Sequence, residues 1–367
     1  MIVKFFDYPK LYKEHESDFK SIFDKTLKKG SFILQKELSD FESNLSNYLN
    51  AKDVVGVADG TNALIICLMA MGVSTGDEVL IPSHTYIATA SAVKFVGAKP
   101  ILCECDENSS MSYDDVLKKI NQRTKVLLPV NLNGKVSNMD LFVKLKKKYK
   151  NLLILEDSAQ GLGSKLNGKH AGTFGDMGTL SFYPAKTLGC FGDGGAIIVN
   201  NRKYIKKIRM LRDHGRNNNG SVEIWGNNSR LDNVQAAILD FKLKHLDNYI
   251  KKRQTIASIY DKLNDLEEVR IPDQSDNKFF NAYQNYEALF EDRDNLQKFL
   301  KKNDIGTLVQ WAGSPIHHFK KLGLSHFKLP KTDLFFKKCL MLPMNTLITE
   351  AHANYVVNKI FNFYKKK

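Results

Sequence analysis

The chain has 367 residues, 43% of them hydrophobic, with a formal net charge of +14. That length suits two domains, or one large and one small. No run of about 18 apolar residues occurs, which excludes a transmembrane helix, and the early acidic residues of MIVKFFDYPKLYKEHESDF argue against a signal peptide.

The expected compartment is therefore the cytoplasm. The positive charge raises nucleic acid as a partner, but the lysines scatter over polar helix faces, as in MDLFVKLKKKYK. No helix-turn-helix, RNP or zinc-finger pattern accompanies them, so neither nucleic acid nor membrane is expected as a partner. The five cysteines, Cys67, Cys103, Cys105, Cys190 and Cys339, lack CxxC pairing and read as buried thiols.

In chain order, residues 11–50 read as helical. FKSIFDKTLKKG stops at Gly30, and LSDFESNLSNYLN places Leu38, Phe41, Leu45 and Leu49 on one stripe. The period then shortens. DVVGV, EVLIPS, PILCEC, TKVLLPV, LLILED, TLSFY and GAIIVN are strand-like runs. Helical stretches separate many of them: NALIICLMAMG, ATASAVKFVG, SYDDVLKKI and MDLFVKLKKKYK. Continuous apolar runs alternating with helices predict a mostly parallel sheet covered on both faces. TLSFY and GAIIVN lie too close together for a helical crossover and predict an antiparallel pair. RNNNGSVEIWGNN reads as a flexible or partner-ordered loop, and the run RLDNVQAAILDFKLKHLDNYIKKRQTIASIYDKL as one long helix or two. Beyond residue 265 or so the pattern becomes α+β, with YQNYEALF and GTLVQW as strands and RDNLQKFLKKN, TDLFFKKCL and AHANYVVNKIFNFY as helices.

Three stretches carry chemistry. After the strand-like DVVGV comes Asp59-Gly60-Thr61 and then a helix. This reads either as a phosphate cradle, with a glycine and free N–H groups at the positive helix end, or as a plain capped turn. LLILEDSAQG runs apolar residues into Glu156-Asp157, placing a carboxylate where open α/β sheets bind ligands. In SFYPAKTLGCFGDGG, Ser181 ends a strand and Lys186 lies in a turn closed by Gly192, Gly194 and Gly195. A desolvated lysine there suits imine chemistry. Phosphate cradle, carboxylate, then serine and lysine is the order that fits pyridoxal 5′-phosphate, which needs a lysine and an acidic partner for its ring nitrogen. Tyr86 in SHTYIATA would be its flat stacking partner.

DGTNAL, IPSHTYIATA, EDSAQGLGS, GTFGDMGTLSFYPAKTLGCFGDGGAI and GNNSRLDNVQAAIL, in this order over residues 30–265, resemble the DegT/DnrJ/EryC1/StrS sugar-nucleotide aminotransferases. The resemblance implies the aspartate aminotransferase fold (fold type I). Residues 1–245 would form the large cofactor-binding domain and 246–367 a smaller α+β domain. It also implies roles. Lys186 forms the Schiff base and moves the proton, Asp157 pairs with the pyridine nitrogen, and Gln160 meets the ring hydroxyl. Gly60, Thr61 and Ser181 hold the phosphate, and Tyr86 stacks on the ring. Asn228 reaches the cofactor of the neighbouring subunit, so a homodimer is implied. Relatives with histidine in place of the lysine dehydrate the sugar; Lys186 implies amino transfer. The implied substrates are L-glutamate and a nucleotide-diphosphate keto-(6-deoxy)sugar. GDGGA after the lysine favours C3 over C4, toward amino-sugar and surface-polysaccharide biosynthesis.

Asn131 and Asn133 in PVNLNGK, and the segment VQWAGSPIHHF, depart from that family's usual sequence. Arg212, His214 and Arg216 read as a diphosphate site or an ordinary basic loop, since arginine suits bidentate phosphate contact. His317 is expected to line the substrate. No metal is expected at His317-His318, because no acid lies near in sequence and adjacent side chains should diverge. The rival readings are another reaction on the same cofactor, such as dehydration, a non-catalytic regulator of the same fold, and a basic nucleic-acid-binding protein.

Overall fold

Short runs of Val, Ile and Leu bounded by turn residues become strands, and the segments between them become helices. The computed structural model describes residues 1–365. Helices α1 (Tyr8–Lys13), α2 (Glu16–Lys28) and α3 (Lys36–Leu49) open the chain. There follow β1 (Asp53–Val57), α4 (Gly60–Ala70), β2 (Glu78–Pro82), α5 (Ile87–Phe95), β3 (Lys99–Cys103), α6 (Tyr113–Lys119), β4 (Thr124–Leu127), α7 (Met139–Lys148) and β5 (Leu153–Asp157). A small hairpin, β6 (Lys165–Leu166) and β7 (Lys169–His170), precedes β8 (Met177–Ser181) and β9 (Gly195–Val199). Then come α8 (Ile205–Arg212), α9 (Asn233–Leu243), α10 (Leu246–Tyr260), β10 (Val269–Arg270), β11 (Phe279–Phe280) and β12 (Tyr286–Phe290). The chain continues with α11 (Arg293–Lys302), α12 (Pro330–Lys338), β13 (Cys339–Leu342) and α13 (Glu350–Lys365).

The seven runs read as strands form one sheet in the order β1-β9-β8-β5-β4-β2-β3. Its pairs are parallel from β8 through β5, β4 and β2 to β3. Strand β9 alone runs against its neighbours, β1 and β8. Strands β2, β5 and β9 are almost wholly buried, so apolar residues occupy both of their faces. Leu38, Phe41, Leu45 and Leu49 of α3 all enter the core, each burial contributing roughly 1.5–3 kcal/mol. This is the α/β fold with a mainly parallel central sheet.

A second apolar core lies between the antiparallel sheet β10-β12-β13 and helices α10, α11 and α13. Several segments cross the boundary expected at residue 245: Leu246, Ile250 and Ala282 pack with Leu38, Phe41 and Leu45, and β11 pairs with β6. Val3 packs in this second core and bridges Ile305. In the other direction, Ile316, Leu324 and Leu329 pack into the core of the large sheet.

Two local expectations are corrected. GTLVQW is not a strand. Leu308 makes one bridge to Met341, and the backbone then turns left-handed at Trp311 (φ 48°) and Ala312 (φ 56°), which ends any extended run. In TDLFFKKCL the helix stops at Lys338. The buried run CLML that begins at Cys339 pairs with β12 instead. RLDNVQAAIL and its continuation form two helices, α9 and α10. The five cysteines are buried and free. No helix of the described residues is long and apolar enough to cross a membrane.

Candidate active site

The carboxyl ends of β1, β2, β5 and β8 and the amino end of β9 share one edge of the sheet. There the chain places Asp59-Gly60-Thr61, Tyr86, Asp157, Ser181 and Gly195 together. Asp59, not Thr61, caps α4, its Oδ1 accepting from the Asn62 N–H at 2.8 Å. The N–H groups of Gly60 and Thr61 have no i−4 partner within the helix. A Cβ on Gly60 would stand 3.0 Å from Ser181 Cβ, and one on Gly195 would stand 2.4 Å from the Asp59 carbonyl carbon. The glycines thus let the start of α4, the end of β8 and the GDGG turn approach closely, bringing the Gly60 and Thr61 N–H groups near the Ser181 hydroxyl, donors of the kind that hold a phosphate.

Strand periodicity separates the two acids of EDSAQG. Glu156 accepts from the N–H groups of Gly172 (2.8 Å), Phe174 (2.6 Å) and Gly175 (2.8 Å), and so anchors the loop before β8. Asp157 faces the other way. Its Oδ2 accepts from Thr89 Oγ1 at 2.8 Å, and its Oδ1 from the Ala159 N–H at 3.2 Å. Burial raises its pKa, against these two hydrogen bonds and the Lys186 charge. Thr89 was not singled out in the sequence; the signal was its place one helical turn after Tyr86. Tyr86 opens α5 and is 57% exposed, its ring available to stack.

Burial brings the Lys186 amine down to about 8, partly offset by the Asp157 carboxylate. Its Nζ makes no hydrogen bond to any described residue. The backbone on either side of it is clamped by Gln284. Gln284 Oε1 accepts from the Thr187 N–H (2.6 Å) and Oγ1 (2.8 Å), and its Nε2 donates to the Ala185 carbonyl (2.7 Å). Buried Arg253 in turn donates to the Gln284 carbonyl at 3.0 Å. Gln284 lies 98 residues from Lys186 in sequence, so no local pattern announced it. Replacing Gln284 with alanine leaves buried polar groups unpaired and is expected to cost about 1–3 kcal/mol. It should lower kcat more than it raises the donor KM. Thermal unfolding and steady-state kinetics check this, and Gln284→Glu, which keeps the acceptor for Thr187, should fall between.

Gln160 Oε1 accepts from the Asn133 N–H at 2.8 Å, leaving its amide nitrogen to donate outward. Asn133 is itself held by Glu287 (2.7 Å) and Asn285 (2.9 Å). Asn131 is scaffolding, bonded to Ser158 Oγ at 2.8 Å and to the Ser137 N–H at 2.8 Å.

Arg212 and Arg216 border one surface cavity with Arg202, Lys206 and Arg209, but they are held differently. Arg212 is buried, donating to Glu42 Oε1 at 2.5 Å and the Gly56 carbonyl at 3.0 Å. Helical spacing turns it inward. Arg216 is exposed and pairs with Asp213 (2.7 Å), and His214 is exposed at φ 55°. Arg212→Ala leaves Glu42 with only Arg209 (3.2 Å) and the Gly56 N–H (2.8 Å), so it is expected to destabilise the fold by about 1–3 kcal/mol, read as a lower urea midpoint. A loss of nucleotide affinity at unchanged stability would contradict this. His317 is 4% exposed, with both ring nitrogens engaged by Ser83 and Asp333, so it does not face open space. Asn228 is exposed beside the loop carrying Trp225, which is 93% exposed.

A match to the DegT/DnrJ/EryC1/StrS aminotransferase family spans residues 13–361. The chain belongs to the DegT/DnrJ/EryC1/StrS aminotransferase family. Within it, the chain is 34% identical to a dTDP-3-amino-3,4,6-trideoxy-alpha-D-glucose transaminase of Streptomyces venezuelae, over 98% of this chain and 95% of that one. It is also 34% identical to a pleiotropic regulatory protein of Geobacillus stearothermophilus, over 100% and 99% of the two chains. The crystal structure of Streptomyces venezuelae DesV in complex with a ketimine intermediate superposes with a TM-score of 0.94 at 33% identity, covering 99% of this chain and 98% of that one. As a transaminase of the DegT/DnrJ/EryC1/StrS family, the protein places an amine, a carboxylate and the open amino end of a helix on one sheet edge.

Proposed function

We propose that this transaminase takes nitrogen from L-glutamate and gives it to the ketone of a nucleotide-diphosphate-linked sugar, at C3. The observation that carries the reading is Lys186. It is an amine with a burial-lowered pKa of about 8, in the field of Asp157 and on a backbone fixed by Gln284. At pH 7 such an amine is about one-tenth neutral, against well under one-thousandth for an ordinary lysine.

Pyridoxal 5′-phosphate fits the residues present and, when bound, supplies an aldehyde for an amine and a ring that withdraws electrons from the reacting carbon. Gly60, Thr61 and Ser181 would hold its phosphate and Tyr86 would cover its ring. Asp157 would keep a positive charge on the ring nitrogen, with Thr89 orienting the carboxylate. Gln160 would donate to the ring hydroxyl. Lys186 Nζ would accept the proton leaving the donor's α-carbon and return it to the other end of the transferred system. The same residues would act in the reverse sense on the sugar ketone. Asn228, on an exposed loop, is proposed to reach the site of a second copy, making the active unit a homodimer.

The C3 assignment rests on the GDGGA turn and on the Streptomyces relative, which is named for a 3-amino product. The test is incubation of the cofactor-loaded enzyme with L-glutamate and either a 3-keto or a 4-keto nucleotide sugar, with the product read by NMR. A 3-amino sugar is expected. Exclusive turnover of the 4-keto substrate overturns the C3 assignment, and turnover of neither overturns the substrate class. A purely regulatory role is disfavoured because Lys186, Asp157 and Ser181 are all present.

A further inference from the structure

His317 and His318 lie side by side in one tight turn, Ile316–His318. No acid lies close to them in the chain. The fold supplies one: Asp333, in the first turn of α12. Its Oδ1 lies 2.9 Å from His317 Nε2 and 2.6 Å from His318 Nε2. The three donor atoms all lie within 4.8 Å of one another. The rings do not diverge as expected; their centroids are 4.6 Å apart, and both turn a nitrogen to the same carboxylate oxygen.

We propose that His317, His318 and Asp333 form a site for a divalent transition-metal ion of the Zn2+ class. Two imidazoles and one carboxylate are the donors such an ion takes, whereas Mg2+ and Ca2+ favour oxygen alone. An ion bound at about 2.0–2.1 Å from each donor sets tetrahedral neighbours roughly 3.3 Å apart. The carboxylate oxygen therefore needs to move off His317 by about 0.4 Å and off His318 by about 0.7 Å, while the two imidazole nitrogens, within 4.8 Å of each other, settle to the same spacing.

His317 is preset for this role. It is deeply buried, and its Nδ1 meets Ser83 Oγ at 2.7 Å, an outer partner of the kind that fixes a metal-bound imidazole. In the hydrogen-bonded state both Nε2 atoms carry the proton they give to the Asp333 carboxylate. Metal binding therefore shifts each neutral ring to its Nδ1–H tautomer by exchange with solvent: Ser83 Oγ accepts the His317 proton, that of His318 faces water, and both Nε2 lone pairs are freed. The His318 and Asp333 side chains are 50% and 37% exposed, so the ion can enter from solvent and keep a water. The nearby Glu104 carboxylate is already committed to the Lys331 N–H (2.7 Å) and the Thr332 N–H (3.1 Å) at the start of α12. The buried cysteines do not compete.

The site joins three elements, two of which are also linked by the Ile316 N–H donating to the Ser83 carbonyl at 3.4 Å. These are the irregular stretch 310–329, helix α12 and, through Ser83, the turn that leads to Tyr86. A bound ion would staple the irregular stretch to the large sheet, and its affinity would appear as added stability.

The test is equilibrium dialysis of the untagged, cofactor-loaded full chain against micromolar Zn2+, with the metal measured by mass spectrometry. One Zn2+ per chain is expected, with Mg2+ unable to displace it. His318→Ala and Asp333→Asn should each lower affinity by at least ~100-fold, and Ser83→Ala by about 10-fold, as losses of metal-site partners do. His326→Ala, an exposed histidine outside the cluster, should bind like wild type. Zn2+ should raise the melting temperature of wild type and not of His318→Ala, whose side chain is surface-lying and safe for folding. Absence of stoichiometric binding, or binding equally tight in His318→Ala and Asp333→Asn, overturns the proposal.

Discussion

Replacing Lys186 with alanine is expected to abolish amino transfer, with kcat falling on the order of 10⁴-fold or more, because one side chain is both the covalent partner and the proton carrier. Nothing nearby replaces it: Asp157 is an acid held by Thr89 and Ala159, and Ser181 lies at the end of β8 beside Gly60. Folding should survive, since Lys186 donates no side-chain hydrogen bond to the described residues and its turn is held by Gln284. The variant should therefore show a near-wild-type melting temperature together with negligible release of 2-oxoglutarate from L-glutamate. The wild-type amine predicts a pH effect as well. Only the neutral amine attacks an aldehyde, so the rate of capturing pyridoxal phosphate should rise with pH and level off above about 8.

Asp157→Asn is expected to be the next most damaging change, lowering kcat by roughly 10²–10³-fold, the scale of losing one preorganised electrostatic partner. The amide keeps the size of the side chain and can still accept from Thr89, so the loss belongs to the charge. A second readout separates this from a packing defect. The Asp157 anion raises the Lys186 pKa while burial lowers it. Removing the anion should therefore lower that pKa further, and the capture profile should move to lower pH. A profile unmoved in Asp157→Asn would show that the carboxylate does not act on the lysine.

The placement of the candidate residues on one sheet edge was legible in the sequence. Strand ends followed by small or polar residues marked Gly60, Tyr86, Asp157 and Ser181, because a parallel sheet sends every such end to one edge. The sequence carried less where a group acts across the chain. Gln284 supports Lys186 from a segment with its own strand pattern, and Asp333 meets His317 only because residues 310–329 fold back on the large sheet. Arg212 shows a related effect. Basic composition marks phosphate affinity, but the helical phase of Arg212 points it at Glu42. GTLVQW failed as a strand because its β-prone residues run into the left-handed turn at Trp311 and Ala312, which a propensity argument does not see.

The most direct test is a single half-reaction. The purified protein is loaded with pyridoxal phosphate, freed of excess cofactor and mixed with L-glutamate in the absence of any sugar, while visible absorption and 2-oxoglutarate are followed together. The account predicts that the visible band of the loaded protein disappears as one equivalent of 2-oxoglutarate forms per site, and that Lys186→Ala shows neither event. A wild-type protein that binds no cofactor, or that holds it unchanged in glutamate with no 2-oxoglutarate released, would contradict the assignment of Lys186 and of glutamate as donor.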